Sequence, residues 1–426
     1  MLKLTSQVRL VGVLFFTLVT IWELLCLSTV QAQTMPLPAF PSNPVVDSGD
    51  LFELYTAEQM SYDDNLFRIP STGFNLETAL GPHASRQDHI QTVSAGFDGQ
   101  WIIGRQLFLF VGEFDDDKFA RNAFLNNTAG NGKFTWDWRL GSYLSGDVGV
   151  DFRKSIAGFT NTRSFVKDVI ENTNHFASAK WELGPHWLLF GGWNELKVTN
   201  GSLARVLDNF RLRAGHAGVQ LALNSTDWVG WEYQRTDGSF PGGDLLNGLP
   251  FNRDFKENSA RFLLKYGFAN VFALDGSAGY LKRDYPAAAF AGFSGDVWRA
   301  SLQWTLSPKT QLVFVGYREL NSYVQAQSDY YVAKGGNVSA MWSPTVKLQF
   351  MLSYISDDQH YKNSNSGISA SLSRHDKVTT EQLGILYTPA HSVILNLTYG
   401  HEQRDSNKPL FSYGDRIITA KLTFKY

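Results

Sequence analysis

The last nine residues alternate without a break. Ile418, Ala420, Leu422, Phe424 and Tyr426 are apolar or aromatic, while Thr419, Lys421, Thr423 and Lys425 between them are polar. Side chains on a strand point to opposite faces in turn, so this stretch predicts a strand with one apolar face and one cationic, hydroxylated face. The same period of two recurs upstream. Trp136, Trp138 and Leu140 alternate with Thr135, Asp137 and Arg139, and Trp298, Ala300, Leu302 and Trp304 with Arg299, Ser301 and Gln303. Val346, Leu348, Phe350, Leu352 and Tyr354 alternate with Lys347, Gln349 and Ser353, and Val393, Leu395, Leu397 and Tyr399 with Asn396 and Thr398. A soluble sandwich also alternates, with its apolar residues inward. Aromatics gathered at strand ends beside turns, and connections that alternate short and long, favour the inverted, lipid-facing arrangement.

A beat of about forty residues orders these strands. Lys180–Pro185, Gln303–Pro308, Ala340–Pro344 and Ile385–Pro389 each run from a strand into a proline, and short turns without proline fall near Gly104, Gly146, Ser225 and Gly267. Proline presets a turn and cannot donate within a central strand, so it marks where a strand stops. Eight hairpins give sixteen strands. A first strand over Leu51–Tyr62 and a last over Asp415–Tyr426 make eighteen, with sixteen as the alternative count. The expectation is an all-β fold: a closed antiparallel transmembrane β-barrel with short periplasmic turns and long extracellular loops. The loops expected outside are Asp64–Gln87, Asp115–Lys133, Gly158–Asn174, Thr199–Phe210, Asp237–Asp254, Tyr285–Ser294, Leu320–Ser328, Asp357–Asp376 and His401–Phe411. They are rich in Asn, Asp, Ser and Gly, as solvated loops are.

Residues 1–32 read as a secretory signal peptide. Lys3 and Arg9 supply the positive start, Val11–Leu27 the apolar run, and Val30-Gln31-Ala32 the small-residue cleavage site. The one cysteine, Cys26, lies within it, which leaves the mature chain without disulfides. Residues 33–50, with Pro36, Pro38, Pro41 and Pro44, read as an extended periplasmic linker, and 51–426 as the barrel. Composition agrees: 14% of the 426 residues are aromatic and 18% are charged, below the roughly 25% of soluble domains. Beyond residue 32 no apolar run of helix-spanning length exists, so a membrane reading requires strands. A net charge of −2 argues against a nucleic-acid partner. The expected location is the outer membrane of a Gram-negative bacterium, with lipid, lipopolysaccharide and the barrel-assembly machinery as partners.

The polar faces define a candidate lumen lining: Asp137, Arg139, Asp151, Arg153, Lys180, Glu182, Glu232, Arg261, Lys265, Asp275, Arg299, Lys347 and Lys421. Both signs occur, which predicts a hydrated passage of mixed charge, or charge pairs that merely hold the barrel's shape. No chemistry-bearing motif emerges, so no catalytic residue, cofactor or metal ligand is assigned and the chain is not expected to be an enzyme. Asp115-Asp116-Asp117 and Asp63-Asp64-Asn65 are carboxylate-rich enough to hold a calcium ion, but solvated loop is the stronger reading because neither has EF-hand spacing.

The heptapeptide Tyr62-Asp63-Asp64-Asn65-Leu66-Phe67-Arg68 resembles a motif near the mature N-terminus of the putative β-barrel porin 2 family. The Trp-x-Leu-Ser-Pro turns and the aromatic C-terminus, itself like the terminal signature of outer-membrane barrels, extend the likeness over the mature chain. Within that group the chain looks most like the EpsL-type proteins, the outer-membrane members of exosortase-associated exopolysaccharide biosynthesis clusters. The resemblance implies a channel for exopolysaccharide export, with polysaccharide chains and periplasmic components of an export apparatus as partners. The alternative is a general diffusion porin or a structural surface barrel without a dedicated polymer.

Overall fold

The structure, a computed structural model, describes residues 51–426 apart from 82–83, 161–164, 243, 247–248, 270, 287–291, 326–327 and 363–372. The expected signal peptide and linker lie outside the described residues. Strands β1 (Phe52–Asp63), β2 (Asp88–Ile103), β3 (Gln106–Phe119), β4 (Asn127–Leu140), β5 (Leu144–Ile156), β6 (Val169–Leu183), β7 (Trp187–Asn200), β8 (Phe210–Ala222) and β9 (Trp228–Ser239) form the first half of one sheet. A small hairpin of β10 (Asp244–Leu246) and β11 (Leu249–Phe251) interrupts it. The second half comprises β12 (Phe255–Phe268), β13 (Phe272–Asp284), β14 (Phe293–Ser307), β15 (Thr310–Gln325), β16 (Ser328–Thr345), β17 (Leu348–Lys362), β18 (His375–Ala390), β19 (Val393–Ser406) and β20 (Tyr413–Lys425).

Each strand of the sheet pairs antiparallel with its sequence neighbour, β9 pairs with β12, and β20 returns to β1, so the 18-stranded sheet closes on itself. Closure leaves no unpaired edge, the condition for placing strands in lipid. The seam runs from Tyr55 opposite Lys425 to Asp63 opposite Ile417, and the Tyr426 amide adds a bond to the Leu54 carbonyl at 2.8 Å.

Side-chain alternation assigns the faces. Trp101, Trp181, Trp231, Leu352 and Leu397 stand exposed on the outer wall, whereas the intervening positions are covered within the barrel. Aromatic pairs ring the short-turn end: Phe272–Trp304 at 5.6 Å between centroids, Trp342–Phe350 at 5.3 Å and Phe108–Trp136 at 6.1 Å. Amphipathic rings at such a belt suit the boundary between hydrocarbon and water.

Several boundaries differ from the expected ones, each for a physical reason. The turn expected near Gly146 is Gly141–Tyr143, with Gly141 at φ 62° in the left-handed region. Gly146 instead lies within β5 opposite Trp138, where a Cβ would strike the Ser178 carbonyl and the Trp138 ring. Pro344 and Pro389 do not end their strands. They sit where the register skips from Trp342 to Thr345 and from Tyr387 to Ala390, so proline's missing donor is absorbed by a bulge. The loops are shorter than expected because the strands continue past the apolar band. Asp115–Phe119, Asn127–Lys133, Leu320–Gln325, Asp357–Lys362 and His401–Ser406 are all strand. Polar residues there reflect water on both faces above the membrane rather than irregular backbone.

Candidate functional site

The heptapeptide at the top of β1 turns the chain into the barrel. The Asn65 side chain, 1% exposed, accepts from the Ile69 amide at 3.1 Å and donates to the carbonyls of Ile69 and Gly414, both at 2.9 Å. Arg68 holds a left-handed backbone at φ 53°, costing roughly 1 kcal/mol, and bridges Asp63 at 2.9 Å and Asp415 at 3.2 Å. Burial alone disfavours its charge, but the carboxylates of Asp63 and Asp415 outweigh that and raise the guanidinium pKa above its ordinary value.

This turn aims Phe67 inward, where it is completely buried. It packs against Phe159 at 4.9 Å and Phe165 at 5.9 Å, and its cluster includes Ile69, Phe119 and Leu125. The β1–β2 connection, which carries the short helix α1 (Leu76–Leu80), is therefore packed against the β5–β6 connection. Asp88 secures the β3–β4 connection beneath them by accepting from the amides of Arg121 and Asn122 at 2.9 and 2.8 Å. From β19, Arg404 Nη1 donates to the Thr160 carbonyl at 3.1 Å, with β20 and β1–β4 intervening around the wall. The long-loop half of the lumen is thus narrowed by inturned connections tied to the far side.

The expected lining can be placed residue by residue. Asp137 and Arg139 on β4, Asp151 and Arg153 on β5, and Lys180 and Glu182 on β6 share the inward register. Glu232, Arg261, Lys265, Asp275 and Arg299 follow on β9 and β12–β14, with Glu232 opposite Arg261 and Lys265 opposite Asp275. Lys421 approaches Glu113 at 3.9 Å. Lys347 is not on a strand: it lies in the β16–β17 turn, where its Nζ donates to the Pro389 carbonyl at 2.7 Å. Period-two alternation runs on from β17 through Lys347 although the strand begins only at Leu348.

The structure adds members that the sequence pattern hid. Glu53, Asp98, Glu113, Asp115 and Asp117 line β1–β3, and Lys425 meets Glu53 at 2.9 Å. Asp115 and Asp117 accept from Ser94 and Thr92 inside, while Asp116 points outward to Lys118 at 2.9 Å. The three do not converge on one ion, and Asp63 and Asp64 are committed to Arg68 and the Arg416 amide. Opposite signs pair within the second half as well, Arg283 with Glu257 at 2.7 Å and Arg299 with Glu319 at 3.2 Å.

Many large aromatics, Trp101, Trp181, Trp187, Trp231 and Trp342 among them, stand exposed. Tyr55, Tyr317, Tyr331, Tyr361 and Tyr413 nevertheless point inward, all buried. Arg299 lies over the Tyr317 ring at 5.4 Å, Arg374 over Tyr361 at 4.3 Å and Arg404 over Tyr413 at 5.4 Å. Such stacking desolvates the guanidinium faces and locks the wall. Among these paired groups stand acceptors with no protein donor: Asn172 and Asn174 Oδ1, Thr135 Oγ1, Gln382 Oε1 and Asn396 Oδ1.

Residues 252–426 match the family described as putative beta-barrel porin 2. No curated protein matches the chain in sequence. Among solved structures, OccK2 (OpdF) of Pseudomonas aeruginosa is similar at a TM-score of 0.48 and 11% identity, over 88% of this chain and 97% of that one. A BenF-like porin from Pseudomonas fluorescens Pf-5 gives 0.46 and 11%, over 88% and 98%. The siderophore receptor PirA of Pseudomonas aeruginosa gives 0.43 and 10%, over 88% and 80%. The chain is a closed 18-stranded antiparallel β-barrel, and over residues 252–426 it is similar to the family described as putative beta-barrel porin 2.

Proposed function

We propose that this barrel is an outer-membrane channel for saccharides that serves the export of exopolysaccharide. The observation that carries the reading is the mixed inner wall, where the amides and hydroxyl of Asn172, Asn174, Thr135, Gln382 and Asn396 stand in the inward register among side chains of both signs. Sugar hydroxyls both donate and accept, as the side-chain amides and hydroxyls of such a wall do. Arg283 pairs with Glu257, Arg299 with Glu319 and Lys425 with Glu53, and both signs occur along the rest of the wall, so it does not select an ion of one sign. The chain's overall likeness to exopolysaccharide-cluster proteins supports the same cargo. A second reading, a porin for small polar solutes, is favoured by the inturned loops and the Arg404–Thr160 tie, since these leave little width for a polymer while in place.

Deleting the gene and measuring polymer in the medium separates the two. Export predicts that secreted exopolysaccharide falls at least tenfold while cell-associated polymer rises. Normal secretion with reduced uptake of small solutes would reject export in favour of the porin.

A further inference from the structure

The outer wall carries a side-chain cluster that neither the lumen nor its constriction uses. Asp358 and His360 stand two residues apart on β17 and so share a face. His375 opens β18 as the direct register partner of His360. By alternation all three lie on the outward face with Leu352 and Tyr354, at the long-loop end. The two imidazoles stack with centroids 4.3 Å apart and planes 17° from parallel. Asp358 reaches both rings: Oδ1 contacts His375 Nε2, and Oδ2 lies 3.6 Å from His360 Nε2. One ligand atom from each of the three falls within 4.8 Å of the other two. The side chains are 47–55% exposed, so an ion reaches them from solvent without the barrel opening.

We propose that Asp358, His360 and His375 form a surface site for one divalent ion of the nickel, copper or zinc group. Two imidazoles with one carboxylate suit these borderline metals, whereas calcium and magnesium take all-oxygen shells. At metal–ligand distances of about 2.0–2.2 Å the three atoms must draw together by small rotamer changes, which exposed side chains on a paired, rigid hairpin permit. Three protein ligands leave a coordination position for water or for a donor atom from outside the chain. Lys334 and Lys377 both oppose Asp358 in the register. Their charge works against the cation and sets the expected affinity in the micromolar range rather than the nanomolar.

The test uses the untagged, refolded chain, because a histidine tag would mask the signal. Zinc titrated by calorimetry should bind in one equivalent with Kd at or below about 10 µM, and bound copper(II) should show nitrogen hyperfine structure in its electron paramagnetic resonance spectrum. The double variant His360→Asn/His375→Asn should weaken binding at least a hundredfold, and Asp358→Asn about tenfold. Unchanged mobility of the unboiled variants on a denaturing gel shows that the barrel is intact. Absence of saturable one-to-one binding overturns the proposal. So does equal binding by the double variant, which would assign the ion to other histidines, or unchanged affinity in Asp358→Asn.

Discussion

At the scale of single residues, Arg68 shows how a short motif acts through geometry rather than chemistry. Its backbone conformation is one that L-residues avoid, and it is retained because the guanidinium joins Asp63 at the end of β1 to Asp415 on β20. Those carboxylates are 4% exposed, so removing the cation leaves two buried like charges facing each other. Arg68→Ala should therefore lower unfolding stability by about 3–5 kcal/mol, the usual consequence of breaking a buried pair. A urea-unfolding series in lipid vesicles measures it, and a loss below 1 kcal/mol would show that the bonds of Asp64, Asn65 and Arg86 hold the turn without the ion pairs. The heptapeptide was legible as a motif in the sequence. Its role as the hinge that sends Phe67 into the lumen depends on Gly414 and Asp415, some 350 residues away, and no local pattern announces them.

At the scale of elements, the strands and their connections follow different rules. A strand's outward face must be apolar over the membrane band, which imposes the period of two and makes the strands readable. Connections carry no such constraint. The β5–β6 segment contains Phe159 and Phe165 in an otherwise polar context, and only their packing against Phe67 explains them. The bond from Arg404 to the Thr160 carbonyl ties β19 to the described start of this connection. Arg404→Ala should raise single-channel conductance in planar bilayers by about twofold or more as the crossing loosens, while Arg374 continues to hold Asp376 at 2.5 Å. Conductance equal to wild type would mean that the 157–168 segment does not limit flow. The proline bulges at Pro344 and Pro389 belong to this scale too. The repeat was visible, but whether a proline ends a strand or bulges it depends on the neighbouring ladder, since only that ladder shows which donor is missing.

At the scale of the molecule, closure is the decisive property. β1 and β20 are separated by nearly the whole chain and meet in nine paired positions, from Tyr55–Lys425 to Asp63–Ile417. A closed ladder has no end from which detergent can peel strands, so the unboiled protein should migrate faster than the boiled one on a denaturing gel. A chain lacking Ile418–Tyr426 should lose that difference, because β1 would face lipid with unpaired backbone groups at several kcal/mol each. Retention of the fast form after truncation would show that β19 can close on β1. The metal-site proposal also arises only at this scale. His360 and His375 are separated by fifteen positions in sequence, with no ligand spacing between them, and strand register alone makes them neighbours.

The sequence by itself determined the class of fold, a strand count of eighteen and the two faces of several strands. It could do so because a strand in lipid must present alternate residues to hydrocarbon, a local rule written in every dipeptide. Only the tertiary structure decided what the lumen contains. The inturned aromatics, the crossing of Arg404 to Thr160, the buried acceptors and the grouping of Asp358, His360 and His375 all join residues distant in sequence. Those contacts depend on register, on closure and on where loops fold once the ring is complete, quantities that no short window of residues encodes.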